Sequence, residues 1–479
     1  MKEYDYIAIG TGSAMAIVSA ILQEHPHSRI AVIDKDDPGG ICLTRGCIPS
    51  KLLLYPAEVV RIVERSAEFG IESTITKIDF PAVMQRMKTI IKNDIDGIRA
   101  GLSGNSNLDY YPDVGEFIAP YTIKVAGQTI KSKRIFLCTG SKPSLPPVKG
   151  LDKVPYLTSD TILALEQLPE SVVIIGGGYI AAEYGHFLSS MGSRVTIIGR
   201  NPRFIPEAEP EISALAKRNL GKHLTILTNH EVKQTAMGSD KKITITVLNR
   251  TTRKEVTVVA DSVLVASGRG ANTDILHPER AGIKTDKNGW IITDEYLETS
   301  QPGIWALGDA NGKFMFKHVA NYEAQIVYYN AVQKKKIPVD YRVIPYAVFS
   351  DPEIASVGLL EEEAIQKSGA DNILIGFTRY DDTAKGIAMG LKDYFVKVII
   401  EKSTMNILGA HIIGPQASVL IQEFVTILSS PEPALGKITR TMHIHPALSE
   451  VVLWACGNLM TPEEYHDEIS GQAGPVAPG

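Results

Sequence analysis

Residues 39–51 read GGICLTRGCIPSK, and their reading decides the fold. Cys42 and Cys47 stand five apart. In a regular α-helix, residues at that spacing have Cα atoms roughly 8–9 Å apart, whereas a disulfide needs them within about 7 Å. A bond between these two would require the chain to leave ideal helix, and Gly46 supplies that freedom, since glycine accepts φ > 0. Pro49 then fixes φ, and the helical run KLLLYPAEVVRIVE follows. Both thiols are therefore expected at or near a helix N-terminus, whose partial positive charge favours a thiolate. Taken alone, C-x4-C also fits two buried structural cysteines or part of a metal site. A metal site needs more ligands at short spacing, and the other two cysteines, Cys138 and Cys456, are distant and single; no metal is expected.

The 479 residues suggest about three domains. A formal charge of −5 gives no reason to expect nucleic acid or a membrane surface as partner. No apolar run is long enough to span a bilayer, and MKEYDYIAIG runs directly into a strand, leaving no room for a secretory leader. Four cysteines, two of them in one motif, read as a reducing cytoplasm with one special pair.

Two dinucleotide-binding patterns flank the rest of the reading. In residues 4–22 an apolar strand ends in Gly10-x-Gly12, and Ser13 and a helix follow. Asp34 closes the next strand, RIAVIDK, about twenty residues on, the spacing of a Rossmann βαβ unit. The glycines let backbone N–H groups approach a pyrophosphate at the helix N-terminus, and the carboxylate accepts from a ribose. Met15 stands at the third glycine position, so the helix is expected slightly further out. In residues 171–200 the pattern recurs as Gly176-x-Gly178-x-x-Ala181, followed by a helix and a strand ending at Ile198. Here the carboxylate is missing. Gly199 takes its place, with Arg200 and Arg203 behind it, where cations would meet a 2′-phosphate. NADP(H) is expected over NAD(H).

GG-x-C-x4-C-I-P-S-K, together with these two units, closely resembles the redox-active disulfide of the flavin disulfide reductases, the family of dihydrolipoamide dehydrogenase and glutathione reductase. The resemblance implies an α/β fold: two Rossmann-like dinucleotide-binding domains, for FAD and NAD(P), plus a C-terminal α+β dimerisation domain. The expected boundaries are 1–152 and 271–341 for FAD, 153–270 for NAD(P), and 342–479 for the interface domain, ending in a low-complexity, mobile tail, GQAGPVAPG. The proline-rich SKPSLPPVKG is the expected crossing between the first two domains.

By the same resemblance, the first unit, with Gly40, holds the ADP half of FAD. Gly115 belongs to the turn at the adenine, and Thr139 and Gly140 end a strand beside FAD. Asp309 in LGDANG binds a ribityl hydroxyl, and the run Met315 to Ala320, including His318, faces the flavin. Tyr179 and Ile180 lie at the nicotinamide pocket, and Gly268 closes the nucleotide domain. Lys51 and Glu183 form an ion pair beside the flavin, where a cation stabilises the anionic reduced ring. Cys47 is the thiol against the flavin and Cys42 the one that exchanges with substrate. MHIHPALSE places His445, oriented by Glu450, as the acid/base for a thiol that is otherwise mostly protonated at pH 7; in this family it serves the partner chain of an obligate homodimer. Pro206 departs from the resemblance, standing where glutathione reductase has a further phosphate-binding arginine.

The expected activity is a dithiol/disulfide oxidoreductase of the dihydrolipoamide dehydrogenase type. The alternative is an NADPH-dependent reductase of a small disulfide such as a glutathione-, mycothione- or coenzyme A-like one; a metal-ion reductase or a non-catalytic flavoprotein subunit ranks lower. If lipoamide is the substrate, a 2-oxoacid dehydrogenase complex becomes a partner.

Overall fold

The apolar runs IAI and IAVI of the first pattern and VVII and VTII of the second are buried nearly throughout, as parallel strands covered on both faces require. The computed structural model describes residues 1–472; the tail expected to be mobile lies, from residue 473 on, outside the described residues. The first sheet is parallel, in the order Ile304–Ala306, Ile135–Leu137, Tyr6–Ile9, Ile30–Ile33, Leu108–Tyr111. The second is also parallel: Tyr156–Thr158, Ser262–Val265, Ser171–Ile175, Arg194–Ile198, Thr225–Leu227. Each has its strand–glycine–helix unit at the centre, with helix Ala14–Glu24 in one and Tyr179–Met191 in the other.

The two units are built alike at atomic detail. A Cβ on Gly10 would lie 2.1 Å from the carbonyl oxygen of Cys138, and one on Gly176 would lie 2.1 Å from that of Ala266. Both glycines have positive φ, 104° and 142°. Each first glycine thus passes under the end of the neighbouring strand, where only a residue without a side chain fits. Met15, at the third glycine position, is half-buried against the core beneath the first sheet.

The first sheet is discontinuous in sequence, because its edge strand Ile304–Ala306 arrives only after the second sheet is complete. The two crossings between these units pair with each other: Ser141–Pro143 lies antiparallel to Arg269–Ala271. From Tyr346 a third large sheet forms, antiparallel in the order Tyr346–Val348, Ile354–Gly358, Asn406–Ile413, Phe395–Glu401, Ile373–Arg379, Leu459–Met460. Helices Ala417–Leu428 and Glu450–Gly457 bury their apolar faces in the core of this sheet, Cys456 among them as a packing residue.

One polar cluster welds this sheet to the second one. Lys397 is fully buried, and its ammonium binds Glu209 at 2.9 Å, Glu361 at 2.6 Å and also Glu211. Tyr465 donates to Glu211 at 2.7 Å, and the Lys397 ammonium lies 4.8 Å from its ring. His466 pairs with Glu361 at 2.8 Å. Glu209 and Glu211 begin the helix Pro210–Leu220 of the nucleotide unit, while Tyr465 and His466 belong to the last helix, Pro462–Gln472. Burial opposes ionisation of Glu211, but the Lys397 charge prevails and holds its carboxyl below the usual range.

Candidate active site

Cys42 is the third residue of a short helix, Gly40–Arg45, and Cys47 the first of the long helix Cys47–Glu64. The chain leaves the helix at Gly46, as the spacing anticipated, but not by positive φ: Gly46 has φ −132° and ψ −122°. The need for glycine is spatial instead, since a Cβ there would stand 2.8 Å from the carbonyl oxygen of Ile41 and 3.1 Å from Cα of Cys42. The break leaves both thiols on one cavity. Interaction with the Cys42 thiol, aided by the Lys51 ammonium and opposed by burial, holds the Cys47 thiol down to about 6. The same interaction, with burial, pushes the Cys42 thiol far up. Cys47 is exposed, but toward the cavity that both thiols line.

Lys51, one turn along the same helix, meets Glu183 at 2.9 and 3.0 Å. The Glu183 carboxylate is nearly buried and also accepts the backbone N–H of Phe349 at 3.1 Å. The Phe349 ring lies 4.6 Å from the lysine ammonium. A cation held by one carboxylate and one aromatic face is thus fixed beside the thiols.

These groups stand in a cavity of about 1080 Å³. One end is a backbone cradle. Gly12 and Gly40 pack so closely that a Cβ on Gly40 would lie 2.5 Å from the Gly12 Cα, with Ser13 at the start of the helix behind. Asp34 accepts Thr11 N–H at 2.8 Å and Asp36 N–H at 3.1 Å. Gly115, Thr139 and Gly140 line the wall, and the buried hydroxyl of Thr139 has no partner among the described residues. Asp309 accepts from Ser141. Met315 and His318 close the far side; His318 binds the Pro345 carbonyl at 2.8 Å, and burial lowers its imidazole. Cys138 also faces this cavity, half-buried rather than fully enclosed, and burial pushes its thiol up. A glycine cradle for a pyrophosphate, two carboxylates for polyols and an unpartnered hydroxyl fit FAD.

Tyr179, Ile180 and Glu183, from the glycine turn of the second unit, reach into the same cavity. Gly176, Gly178, Arg200, Arg203 and Gly268 lie outside it. Gly199 packs on Gly177, where an added Cβ would come within 3.1 Å of the Gly177 Cα. A carboxylate-bearing residue at position 199 would therefore be crowded. Arg200 and Arg203 are exposed at this strand end.

His445 is the predicted residue that the chain keeps apart. Its Nδ1 meets Glu450 at 2.8 Å, and Glu450 also accepts Ala447 N–H at 3.1 Å. The His445 bond is the main cause holding the Glu450 carboxyl below its usual range. Yet the imidazole is 70% exposed and does not line the cavity that holds Cys42. Its neighbours Met442 and Ile444 are 98% and 78% exposed. His443 is bound instead to Glu423, at 2.9 Å.

The cavity has further walls that sequence reasoning missed. Arg269 is nearly buried, donates to Ser141 Oγ and its carbonyl, and approaches Asp160 at 3.9 Å and Asp309 at 4.0 Å. Arg45 reaches Asp160 at 3.3 Å and also pairs with Asp36. Ser418, Ile421, Gln422 and Val425 of helix Ala417–Leu428 line the side toward the third sheet. Arg45 lies inside the cysteine motif and Arg269 directly follows Gly268, a weak signal that was there to be read. The helix residues carry none.

Fold and site together define a flavin- and nicotinamide-dependent oxidoreductase that works through a dithiol pair. Comparison with known proteins agrees. Residues 4–324 match the pyridine nucleotide-disulphide oxidoreductase family, and residues 344–456 match that family's dimerisation domain. The chain belongs to the pyridine nucleotide-disulphide oxidoreductase family. It is 35% identical to mycothione reductase of Mycobacterium tuberculosis over 472 residues, covering 94% of this chain and 98% of that one. It is likewise 35% identical to dihydrolipoyl dehydrogenase of Chlamydia pneumoniae over 469 residues, covering 96% and 97%. The solved Cu(II) complex of the HOCl-induced flavoprotein disulfide reductase RclA from Escherichia coli superposes with a TM-score of 0.85 at 26% identity, covering 95% of this chain and 99% of that one. Members of the family bind FAD and use NAD(P)H. Among the described residues no helix is long and apolar enough to cross a membrane.

Proposed function

We propose that this enzyme is an NADPH-driven, cytoplasmic reductase of a small-molecule disulfide, working as a homodimer. The observation that carries the reading is the end of strand Arg194–Ile198, where Gly199 packs tightly on Gly177 and Arg200 follows. An NAD-type carboxylate is absent and cations take its place. The likeness to mycothione reductase supports the same reading.

Gly10, Gly12, Gly40, Asp34, Gly115, Thr139 and Asp309 would hold FAD, with Met315 and His318 against the ring. FAD, when bound, supplies the two-electron relay between the nicotinamide and the Cys42–Cys47 disulfide. Tyr179 covers the nicotinamide side, and Lys51, steadied by Glu183, presents positive charge beside the thiols. In the reduced pair, Cys42 holds its proton tightly because of its interaction with Cys47 and its burial, so a base must take that proton before Cys42 can attack. His445 is that base, with Glu450 stabilising the imidazolium.

The Cys42 thiolate attacks one sulfur of R–S–S–R, forming a Cys42–S–R bond as the substrate S–S bond breaks. The leaving thiolate takes the proton from His445. The Cys47 thiolate then attacks Cys42 sulfur, restores the Cys42–Cys47 bond and releases the second R–S⁻, which is protonated from solvent. Overall, NADPH, a proton and R–S–S–R give NADP⁺ and two R–SH. Because His445 stands apart from Cys42 of its own chain, the His445 that serves each pair belongs to the other protomer, and one two-fold contact builds both sites.

A panel of mycothiol, glutathione, coenzyme A and lipoamide disulfides, each run with NADPH and with NADH, tests the reading. Turnover of a monothiol-derived disulfide with NADPH preferred supports it; efficient turnover of lipoamide with NADH alone overturns it. The latter would favour the second reading, a dihydrolipoamide dehydrogenase in a 2-oxoacid dehydrogenase complex, which the likeness to dihydrolipoyl dehydrogenase supports.

A further inference from the structure

We infer that Arg250, on a hairpin some fifty residues beyond the nucleotide fingerprint, is a specificity-determining residue for the 2′-phosphate of NADPH. The inference rests on the NADPH reading above and extends it to a residue outside the fingerprint.

The end of strand Arg194–Ile198 is where a dinucleotide presents its adenosine ribose. Three segments meet there. Gly199 N–H donates to the Leu227 carbonyl at 2.9 Å, and the Gly199 carbonyl accepts His230 N–H at 3.0 Å. Asn229, held at φ 57°, donates its N–H to the Asn201 carbonyl at 2.7 Å and accepts Arg250 N–H at 2.9 Å. The turn after strand Ile243–Asn249 is thereby tied, through Asn229, to the loop that follows Ile198. Asn249 is fastened as well, its side chain meeting His230 Nε2 at 3.2 Å.

This stitching delivers the Arg250 guanidinium to the strand end. Its Nη1 donates to the Arg200 carbonyl at 2.7 Å. One N–H is used, and a guanidinium has four more in a planar fork that suits phosphate oxygens. Arg203, by contrast, turns back toward the Pro206 carbonyl at 3.5 Å. A phosphate monoester carries nearly two negative charges and three acceptor oxygens, more than the exposed Arg200 side chain alone can match. Arg250 is anchored by backbone on one side and by the Arg200 carbonyl on the other, so it offers a second cation at less cost in side-chain order than a free surface arginine.

The test compares Arg250→Ala, Arg250→Gln and Arg250→Lys with Arg200→Ala in the FAD-loaded enzyme. Glutamine can still donate to the Arg200 carbonyl but has no charge, so it separates holding the loop from meeting the phosphate. A charge-assisted contact predicts that the ratio of kcat/KM for NADPH to that for NADH falls about tenfold or more in the Ala and Gln variants, through KM for NADPH rather than kcat, with Lys between. Inhibition by adenosine 2′,5′-bisphosphate should weaken by a similar factor relative to inhibition by 5′-AMP. A ratio that survives in Arg250→Gln while the unmutated enzyme prefers NADPH overturns this assignment alone. Equal use of both nucleotides by the unmutated enzyme overturns the NADPH reading and this assignment with it.

Discussion

The bond from Cys42 to Cys47 can be removed without removing the thiolate it supports. In the reduced pair Cys47 is held down to about 6, with the Cys42 hydrogen bond as the largest cause and the Lys51 ammonium behind it. At pH 7 the thiolate form of Cys47 is then favoured. Cys42→Ser keeps an O–H donor in place, whereas Cys42→Ala deletes it. A hydrogen bond to a charged acceptor contributes about 1.5–3 kcal/mol, and 1.36 kcal/mol corresponds to about one pH unit. The Cys47 midpoint should therefore rise by about one to two units in Cys42→Ala and stay near its starting value in Cys42→Ser. The assay is the long-wavelength absorbance that a thiolate lends to a neighbouring oxidised flavin, recorded from pH 4.5 to 10. Alkylation of Cys47 by iodoacetamide over the same range gives a flavin-independent check. Serine and alanine variants that titrate together, within a few tenths of a unit, would refute the hydrogen-bond account and leave Lys51 and the helix terminus as the causes.

Three further outcomes follow from the geometry. Gly10→Ala forces a Cβ to within 2.1 Å of a carbonyl oxygen and should yield protein without yellow colour, while Gly176→Ala should retain FAD and lose nicotinamide-driven turnover; flavin absorbance and steady-state rates separate the two. Mixing Cys42→Ser chains with His445→Ala chains under conditions that exchange subunits should restore part of the activity, since half of each mixed dimer's sites then carry neither change; no recovery with proven heterodimers would assign His445 to its own chain. Lys397→Met leaves the buried carboxylates of Glu209 and Glu361 and the partly buried one of Glu211 without their cation, a loss of about 3–5 kcal/mol, and should lower the melting temperature by several degrees at pH 8. The sign with pH reverses between the two proteins. In the unmutated chain Glu211 is depressed, so its contribution is full above the unfolded value and fades as pH falls. In Lys397→Met the Glu211 carboxyl loses the charge that holds it down while burial still pushes it up, so the deficit should shrink toward pH 5; a deficit independent of pH would show that packing, not charge, holds the cluster.

The glycine turns and the cysteine pair were readable because each is a local constraint. Gly10 and Gly176 must lack a side chain to pass under a strand end, and Cys42 and Cys47 lie within one break of one helix. The reason for Gly46 was read wrongly, because sequence gives the residue but not whether its freedom is spent on φ or on a close approach. The cavity face of helix Ala417–Leu428 and the Arg269–Asp160–Arg45 chain escaped for another reason: no period or motif records which of several polar residues meets a partner more than a hundred positions away. Arg250 is invisible in the same way, being brought to its strand end by a hairpin rather than by the fingerprint.

The Lys397 cluster bears on how the chain is made. Ribosomes deliver the N-terminal part first, and domains tend to fold as they emerge. Glu209 and Glu211 leave the ribosome with the nucleotide unit, Glu361 follows, and their counter-charge comes only with residue 397. Tyr465 and His466, the last members, follow Lys397 in the chain. Until Lys397 is made the nascent nucleotide unit carries an acidic docking face that repels closure, so its union with the third sheet is deferred until that sheet supplies the cation. A chain released before helix Pro462–Gln472 lacks the Tyr465 and His466 bonds that close the cluster.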